Sequence, residues 1–109
     1  MTVSELISAN GYRAISLPEP DREVCGAYCG DLLSWVMGRA SAGNAWMTIM
    51  TNTNVIAVAS LIDVSVVIIC DGCVPDDNFI ETARDRSVNV VVSNSPEYEV
   101  CLEISRVLG

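Results

Sequence analysis

The chain has 109 residues, half of them hydrophobic and only 6% aromatic, a composition that fits one domain with an aliphatic core. Its formal charge is −8, from 14 acidic and 6 basic residues, so its surface repels nucleic-acid phosphates and anionic lipids. We therefore expect no nucleic-acid partner and no membrane partner. The sequence contains no histidine, the commonest general base and metal ligand.

Helices and strands are predicted to alternate along the chain. Capping-box spacing between Thr2 and Glu5 predicts a helix over residues 3–10, and Gly11 is placed to end it. Strands are then predicted from apolar β-branched runs, and helices from polar turns that precede apolar periodicity. The strands are expected at 12–17, 23–28, 45–50, 64–70 and 88–92, and the later helices at about 32–39, 54–62, 76–86 and 96–108.

This order of elements predicts the fold class. Repeated strand–turn–helix units are typical of an α/β fold, here a single domain over residues 1–109. We expect a mostly parallel sheet of four to five strands with helices packed on it. The run 66–69 (VVII) has no polar alternate face, so it should be a central strand covered on both sides.

Two helices raise the question of exposed apolar surface. Helix 54–62 is apolar around nearly its whole circumference, which indicates either deep burial or a subunit interface. Leu32, Trp35 and Val36 form one stripe at helical spacing, which we expect to face the core. An exposed docking face is the alternative. Trp46 is also expected in the core.

The apolar run from 46 to 70 is interrupted by eight polar residues, whereas a spanning helix needs about 20 predominantly apolar ones. Residues 1–6 (MTVSEL) lack the basic and apolar regions of a signal peptide. We therefore expect a cytoplasmic protein whose five cysteines stay reduced.

Five stretches of the sequence form a recognisable series. In chain order they are 21–24 (DREV), 26–37 (GAYCGDLLSWVM), 46–51 (WMTIMT), 54–59 (NVIAVA) and 70–72 (CDG). In type and order they resemble the stand-alone DRTGG-domain proteins of bacteria, over nearly the whole chain. At the name-giving motif, Asp31 matches the family's Asp, but Leu32 replaces its Arg and Asp71-Gly72-Cys73 replaces its Thr-Gly-Gly turn.

The resemblance implies a compact α/β domain that is usually oligomeric, with a dimer favoured. Its relatives are regulatory modules beside phosphotransacetylase domains and between the CBS modules of some inorganic pyrophosphatases. A more distant likeness is to the amino-terminal domains of HPr kinase/phosphorylase and of the muramyl ligases. None of these modules carries the catalytic centre of its parent enzyme. The departures at the motif mean that the family's ligand does not carry over.

A ligand site is expected where the strands end. Open parallel sheets bind ligands beyond the carboxyl ends of their strands, and helix amino termini there favour anions. Small polar residues follow four predicted strands: Gly30 and Asp31, Thr51, Asn52 and Thr53, Asp71 and Gly72, and Ser93 and Asn94 with Ser95. The same residue types also serve as helix caps and turn formers, and Asp31 is predicted to cap helix 32–39. Asp31 and Asp71 disfavour a phosphate there unless Mg²⁺ intervenes.

The cysteines allow a metal or redox interpretation, which we rank below burial. Cys25 and Cys29 would lie roughly 13 Å apart on a strand, too far to share a zinc ion. Cys29, Cys70 and Cys73 are then left near one edge, and Cys70 and Cys73 have CxxC spacing. Cysteine also behaves as a small buried hydrophobe, so we assign no metal ligands.

No arrangement of residues indicates catalysis. A nucleophile needs a base beside it, and the chain has neither histidine nor lysine. We therefore predict a non-catalytic, ligand-sensing or regulatory module that binds a small metabolite or nucleotide as a homo-oligomer. The alternatives are a protein–protein interaction module, docking through helix 54–62 or the Leu32–Val36 face, and a cysteine-ligated metal or redox protein. No particular cofactor is indicated.

Overall fold

The computed structural model describes all 109 residues. Its ten elements are α1 (Val3–Asn10), β1 (Arg13–Ser16), β2 (Ala27–Cys29), α2 (Leu33–Arg39), β3 (Ala45–Thr48), α3 (Asn54–Ile62), β4 (Val66–Ile69), α4 (Asp77–Asp85), β5 (Val90–Val92) and α5 (Glu97–Leu108). The strands form one sheet in the order β1-β5-β4-β3-β2. β1 is antiparallel to β5, and the other three pairs are parallel. The predicted mostly parallel α/β fold is confirmed.

Side-chain alternation along the central strands divides the core into two layers. In β4, Val67 and Ile69 face a cluster under α2, α3 and α4. Val66 and Ile68 face the opposite cluster, under α1 and α5. All four side chains are fully buried, as the absence of a polar alternate face predicted. Helices therefore cover both faces of the sheet.

The second strand is shorter than predicted. Residues 23–28 were expected to form it, but the strand comprises only 27–29. The preceding backbone is held by other partners: Val24 donates to the Met1 carbonyl and Cys25 to the Gly43 carbonyl, both at 2.9 Å. Gly26 then adopts a φ of 118°, which few other residues accept, and turns the chain into the sheet. Tertiary contacts thus override the local strand preference.

The apolar stripe on α2 does not face the core as predicted. Trp46 is fully buried as expected, but Trp35 is 53% exposed and Leu32 is 60% exposed. Val36 is the only buried residue of α2. This seven-residue helix packs on the core through Val36 and the half-buried Leu33. The guanidinium of Arg39 stacks on the Trp35 ring at 3.6 Å from its centroid.

The apolar helix α3 is buried on one side only. Its inward face consists of Val55, Ile56, Val58 and Ala59, while Leu61 is 72% exposed. Deep burial on all sides is therefore wrong, since Asn54, Ala57, Ser60 and Leu61 are exposed. The longest helix has twelve residues, and none combines the length and hydropathy that crossing a bilayer requires.

Candidate functional site at the carboxyl edge of the sheet

Two pairs of neighbouring turns are joined by hydrogen bonds at the carboxyl ends of the parallel strands. After β4 and β5, the Asp71 amide donates to the Ser95 carbonyl at 2.8 Å, and the Gly72 amide donates to the Ser93 carbonyl at 3.0 Å. After β2 and β3, the link is a side chain. Asp31 Oδ1 accepts from the Thr48 hydroxyl at 2.7 Å and from the Ile49 amide at 3.0 Å.

The bonds of Asp31 correct its predicted role as a helix cap. Leu32 occupies the N-cap position of α2, and no side chain caps that helix. The Asp31 carboxylate instead turns toward β3, because a fully buried hydroxyl, that of Thr48, needs an acceptor there. Gly30 has a similar bracing role through its carbonyl, which accepts from the Trp46 indole at 3.0 Å.

The largest cleft, of about 330 Å³, opens beside the β4 and β5 turns. Four of the predicted turn residues line it: Gly72, Ser93, Asn94 and Ser95. The remaining wall comes from the turn between α1 and β1 and from α5. It includes residues that the sequence did not indicate, namely Asn10, Gly11, Tyr12, Arg13 and Glu103.

Arg13 and Glu103 are the two charged residues lining this cleft. The guanidinium of Arg13 forms no ion pair, whereas the Tyr12 hydroxyl donates to Glu103 Oε1 at 2.9 Å. Burial, reinforced by the Glu103 carboxylate, raises the pKa of Tyr12 well above its ordinary value. Tyr12 therefore remains a hydrogen-bond donor at neutral pH. The cleft offers a free cation and several neutral polar groups.

The turn after β3 contributes nothing to this cleft. Thr51, Asn52 and Thr53 line none of the three cavities of the protein. Asn52 Oδ1 accepts from the Asn54 amide at 3.0 Å, and Thr53 occupies the N-cap position of α3. The Asn52 side chain therefore has a structural role, whereas the Thr53 side chain forms no capping hydrogen bond to α3.

The β2 side of the edge has a different character, because acidic groups and thiols gather there. Cys29 Sγ donates to Glu97 Oε2 at 3.2 Å. Burial raises the pKa of Cys29, and the hydrogen bond to Glu97 raises it further. Burial also raises the pKa of Glu97, with neighbouring Asp31 and Asp71 adding to the effect. A carboxylate in this position opposes formation of the thiolate, so Cys29 is not an activated nucleophile.

The cysteines are arranged differently from the predicted set. Cys70 is buried in the layer under α1 and α5, whereas Cys73 packs against the opposite layer. The CxxC spacing therefore does not bring the two thiols together. The neighbour of Cys29 is Cys101, on α5, and both line one groove. No three of the cysteine and acidic side chains converge with geometry suited to a metal ion.

Among solved structures, the fold is similar to the CBS and DRTGG domains of the regulatory region of Clostridium perfringens pyrophosphatase, determined in complex with its activator, diadenosine tetraphosphate. The TM-score is 0.74 at 15% sequence identity, and the match covers 94% of this chain and 45% of that chain. No family model and no curated protein matches the sequence. The chain is thus an α/β domain whose architecture also occurs in a regulatory region.

Proposed function

We propose that this protein is a non-catalytic regulatory domain of the DRTGG type, and that it senses a small anionic metabolite or nucleotide in the cleft beside β4 and β5. The observation that carries the proposal is the unpaired Arg13 guanidinium in a polar cleft at the carboxyl edge. The similar pyrophosphatase region, which binds a dinucleotide activator, supports the ligand class.

The distribution of charge favours one end of the edge for an anion. Glu97 lies close to Asp31 on the β2 side, and these two carboxylates would repel a phosphate there. Asp71 follows β4 and does not line the cleft. The cleft itself carries one arginine against one glutamate, and that glutamate already accepts from Tyr12. We therefore place the anionic group of the ligand at Arg13, where guanidinium donors fit phosphate or carboxylate oxygens. The amide of Asn94 and the hydroxyl of Ser95 would contact the neutral part.

A thermal-shift screen followed by calorimetry tests this proposal. The probes are diadenosine tetraphosphate, ATP and AMP, each with and without Mg²⁺, and a panel of phosphorylated sugars. We expect at least one probe to raise the Tm in a saturable manner. The Arg13→Ala variant should bind that probe about tenfold more weakly or worse, because it loses a charge-assisted hydrogen bond.

Arg86→Ala is the matched control, since Arg86 lies at a different cavity and not at this cleft. It should retain wild-type affinity. Absence of a Tm shift across the panel, with the protein folded, would contradict ligand sensing. Equal losses in the two arginine variants would show only a non-specific attraction of anions to positive charge.

The absence of catalysis is part of the same proposal. The thiol beside a carboxylate, that of Cys29, has a raised pKa and is a poor nucleophile at neutral pH. The five free cysteines agree with a cytoplasmic location, which we propose for the chain. Incubation with nucleotides and phosphorylated sugars should return each of them unchanged. Turnover of any of them would overturn this part of the proposal.

We propose further that the protein is a homodimer and that exposed apolar side chains at α2 and α3 form the face that contacts the second copy. Leu32, Trp35 and Leu61 support this, since all three are more than half exposed. Sedimentation velocity should show a dimer that Trp35→Ser weakens. A monomer at all concentrations tested would exclude it. In that case the alternative is a different protein that binds the monomer through this face.

A further inference from the structure

A second groove, of about 280 Å³, runs between β2 and α5 on the sheet face that carries α1 and α5. Seven of its eight lining residues are hydrophobic, and two of them are cysteines, Cys29 and Cys101. Neither forms a disulfide. The ligand cleft beside β4 and β5 shares no residue with this groove.

The periodicity of α5 places Cys101 opposite Cys29. Glu97 and Cys101 are four residues apart, so they lie on the same face of the helix, one turn from each other. Cys29 Sγ contacts Glu97 at 3.2 Å, which fixes the Cys29 side chain against that face. Ile104 and Leu108 continue the same stripe along the groove. The proximity of Cys101 also contributes to the raised pKa of Cys29.

We propose that Cys29 and Cys101 form a modification site: a dithiol that low-molecular-weight disulfides of the glutathione class oxidise to an intramolecular disulfide. In the first step, one protein thiol loses its proton to water. Its sulfur then attacks the small disulfide, forming a mixed disulfide and releasing one small thiol. The second protein thiol loses its proton and attacks the protein sulfur of that mixed disulfide, which releases the other small thiol.

The balance is one protein dithiol and one small disulfide giving one protein disulfide and two small thiols. The second step is intramolecular, so proximity accelerates it relative to reaction with another small molecule. The product ties the edge strand β2, which pairs only with β3, to the carboxyl-terminal helix. Because it closes a long loop of chain, it should also raise the Tm, through restriction of the unfolded state.

The experiment begins with fully reduced protein incubated with oxidised glutathione in anaerobic, mildly alkaline buffer. Remaining thiols are blocked with N-ethylmaleimide in denaturant, and the products are analysed by intact mass and peptide mapping. We expect three blocked thiols, a mass lower by two hydrogen atoms before blocking, and a peptide pair joined through Cys29 and Cys101. Cys25→Ser and Cys73→Ser should form the same cross-link as the wild type.

Cys29→Ser should stop at the mixed disulfide of Cys101 with glutathione, and Cys101→Ser should form no cross-link. The same incubation in urea should replace the single cross-link by a mixture, because the native groove is what selects the pair. A stable glutathione adduct on Cys29 or Cys101 in the wild type, no reaction at all, or a cross-link that uses Cys70 would each overturn the assignment. A cross-link that forms equally well in urea would overturn it too.

Discussion

The two ends of the carboxyl edge are built from similar turns but suit opposite kinds of chemistry. Beside β4 and β5, backbone hydrogen bonds join the turns, and the side chains of Arg13, Asn94 and Ser95 line open space. Beside β2 and β3, the connection is the Asp31 carboxylate itself, which is committed to Thr48 and Ile49. A residue that fastens two strands together is not free to bind a ligand.

The comparison teaches that residue type and edge position do not by themselves make a binding residue. Asp31 and Asn94 are both polar, and both follow a parallel strand. The difference lies in what the neighbouring backbone and buried side chains require. A fully buried hydroxyl at Thr48 demands an acceptor, whereas the amides of the β4 turn are satisfied by the carbonyls of Ser93 and Ser95.

The largest expected effect comes from Asp31→Ala, which should break the β2 side. It removes the acceptor for the Thr48 hydroxyl and the Ile49 amide, so we expect a loss of about 2–3 kcal/mol in the free energy of unfolding. Asp31→Asn keeps an acceptor oxygen and should lose about 1 kcal/mol. Urea denaturation measures both values. Loss of ligand binding at unchanged stability would instead make Asp31 part of the ligand site.

The second effect concerns stability in alkali. Burial raises the pKa of the Cys70 thiol from 9.0 to about 12, so the folded protein holds this proton more tightly than the unfolded chain. The associated stability is present below pH 9.0 and is lost as the pH rises toward about 12. The raised pKa values of Cys29 and Tyr12 act in the same direction.

Cys70→Ala should therefore flatten the fall of the free energy of unfolding with pH in that range, by less than about 1 kcal/mol per pH unit, and the fall of Tm with it. The measurement is a thermal scan with a non-thiol reductant present. Cys25→Ser serves as the control, because Cys25 is exposed. A wild-type slope equal to that of Cys70→Ala would mean that the Cys70 thiol is ionised as readily in the folded protein as in the unfolded chain.

Local sequence signals predicted the limits of α1 and α3, whereas tertiary contacts determine where the second strand begins. The capping box of Thr2 and Glu5 and the left-handed Gly11 set both ends of α1 as predicted. The limits of α3 were also predicted, and there Asp63 takes the left-handed position. By contrast, the second strand depends on contacts of Val24 and Cys25 with distant residues, which no short window of sequence contains.

The candidate site was predictable only in part, for a similar reason. Parallel strands place Gly72, Ser93 and Asn94 at one edge, and the βα order makes that expectation available from the sequence. Arg13 reaches the same edge because β1 pairs antiparallel with β5. The order of strands in a sheet cannot be read from local sequence patterns, so this position was not predicted. Nor does the sequence show that α2 turns Val36 inward and leaves Leu32 and Trp35 exposed.

A smaller expected effect is a change in the reactivity of the Cys29 thiol, which only a substitution on the β2 side of the carboxyl edge should produce. In the native protein, the Glu97 carboxylate accepts a hydrogen bond from Cys29 and thereby raises the pKa of that thiol. Glu97→Gln removes this carboxylate. We expect Cys29 to be alkylated by iodoacetamide several-fold faster in this variant at mildly alkaline pH, since the thiolate is the reactive form. Mass spectrometry of quenched samples gives the rate. Glu103→Gln, at the other end, is the control and should leave Cys29 unchanged.

The smallest expected effect distinguishes the two sets of turn residues by ligand affinity. Asn94 lines the cleft, so Asn94→Ala should weaken binding of the ligand found in the screen by about three- to tenfold, the loss of one neutral hydrogen bond. Asn52→Ala should leave affinity unchanged, because Asn52 lines no cavity and bonds only within its own turn. Calorimetry on both variants compares them directly. If Asn52→Ala were the more damaging change, the ligand would have to lie over the β3 turn, and the division of the edge into a binding end and a bracing end would be wrong.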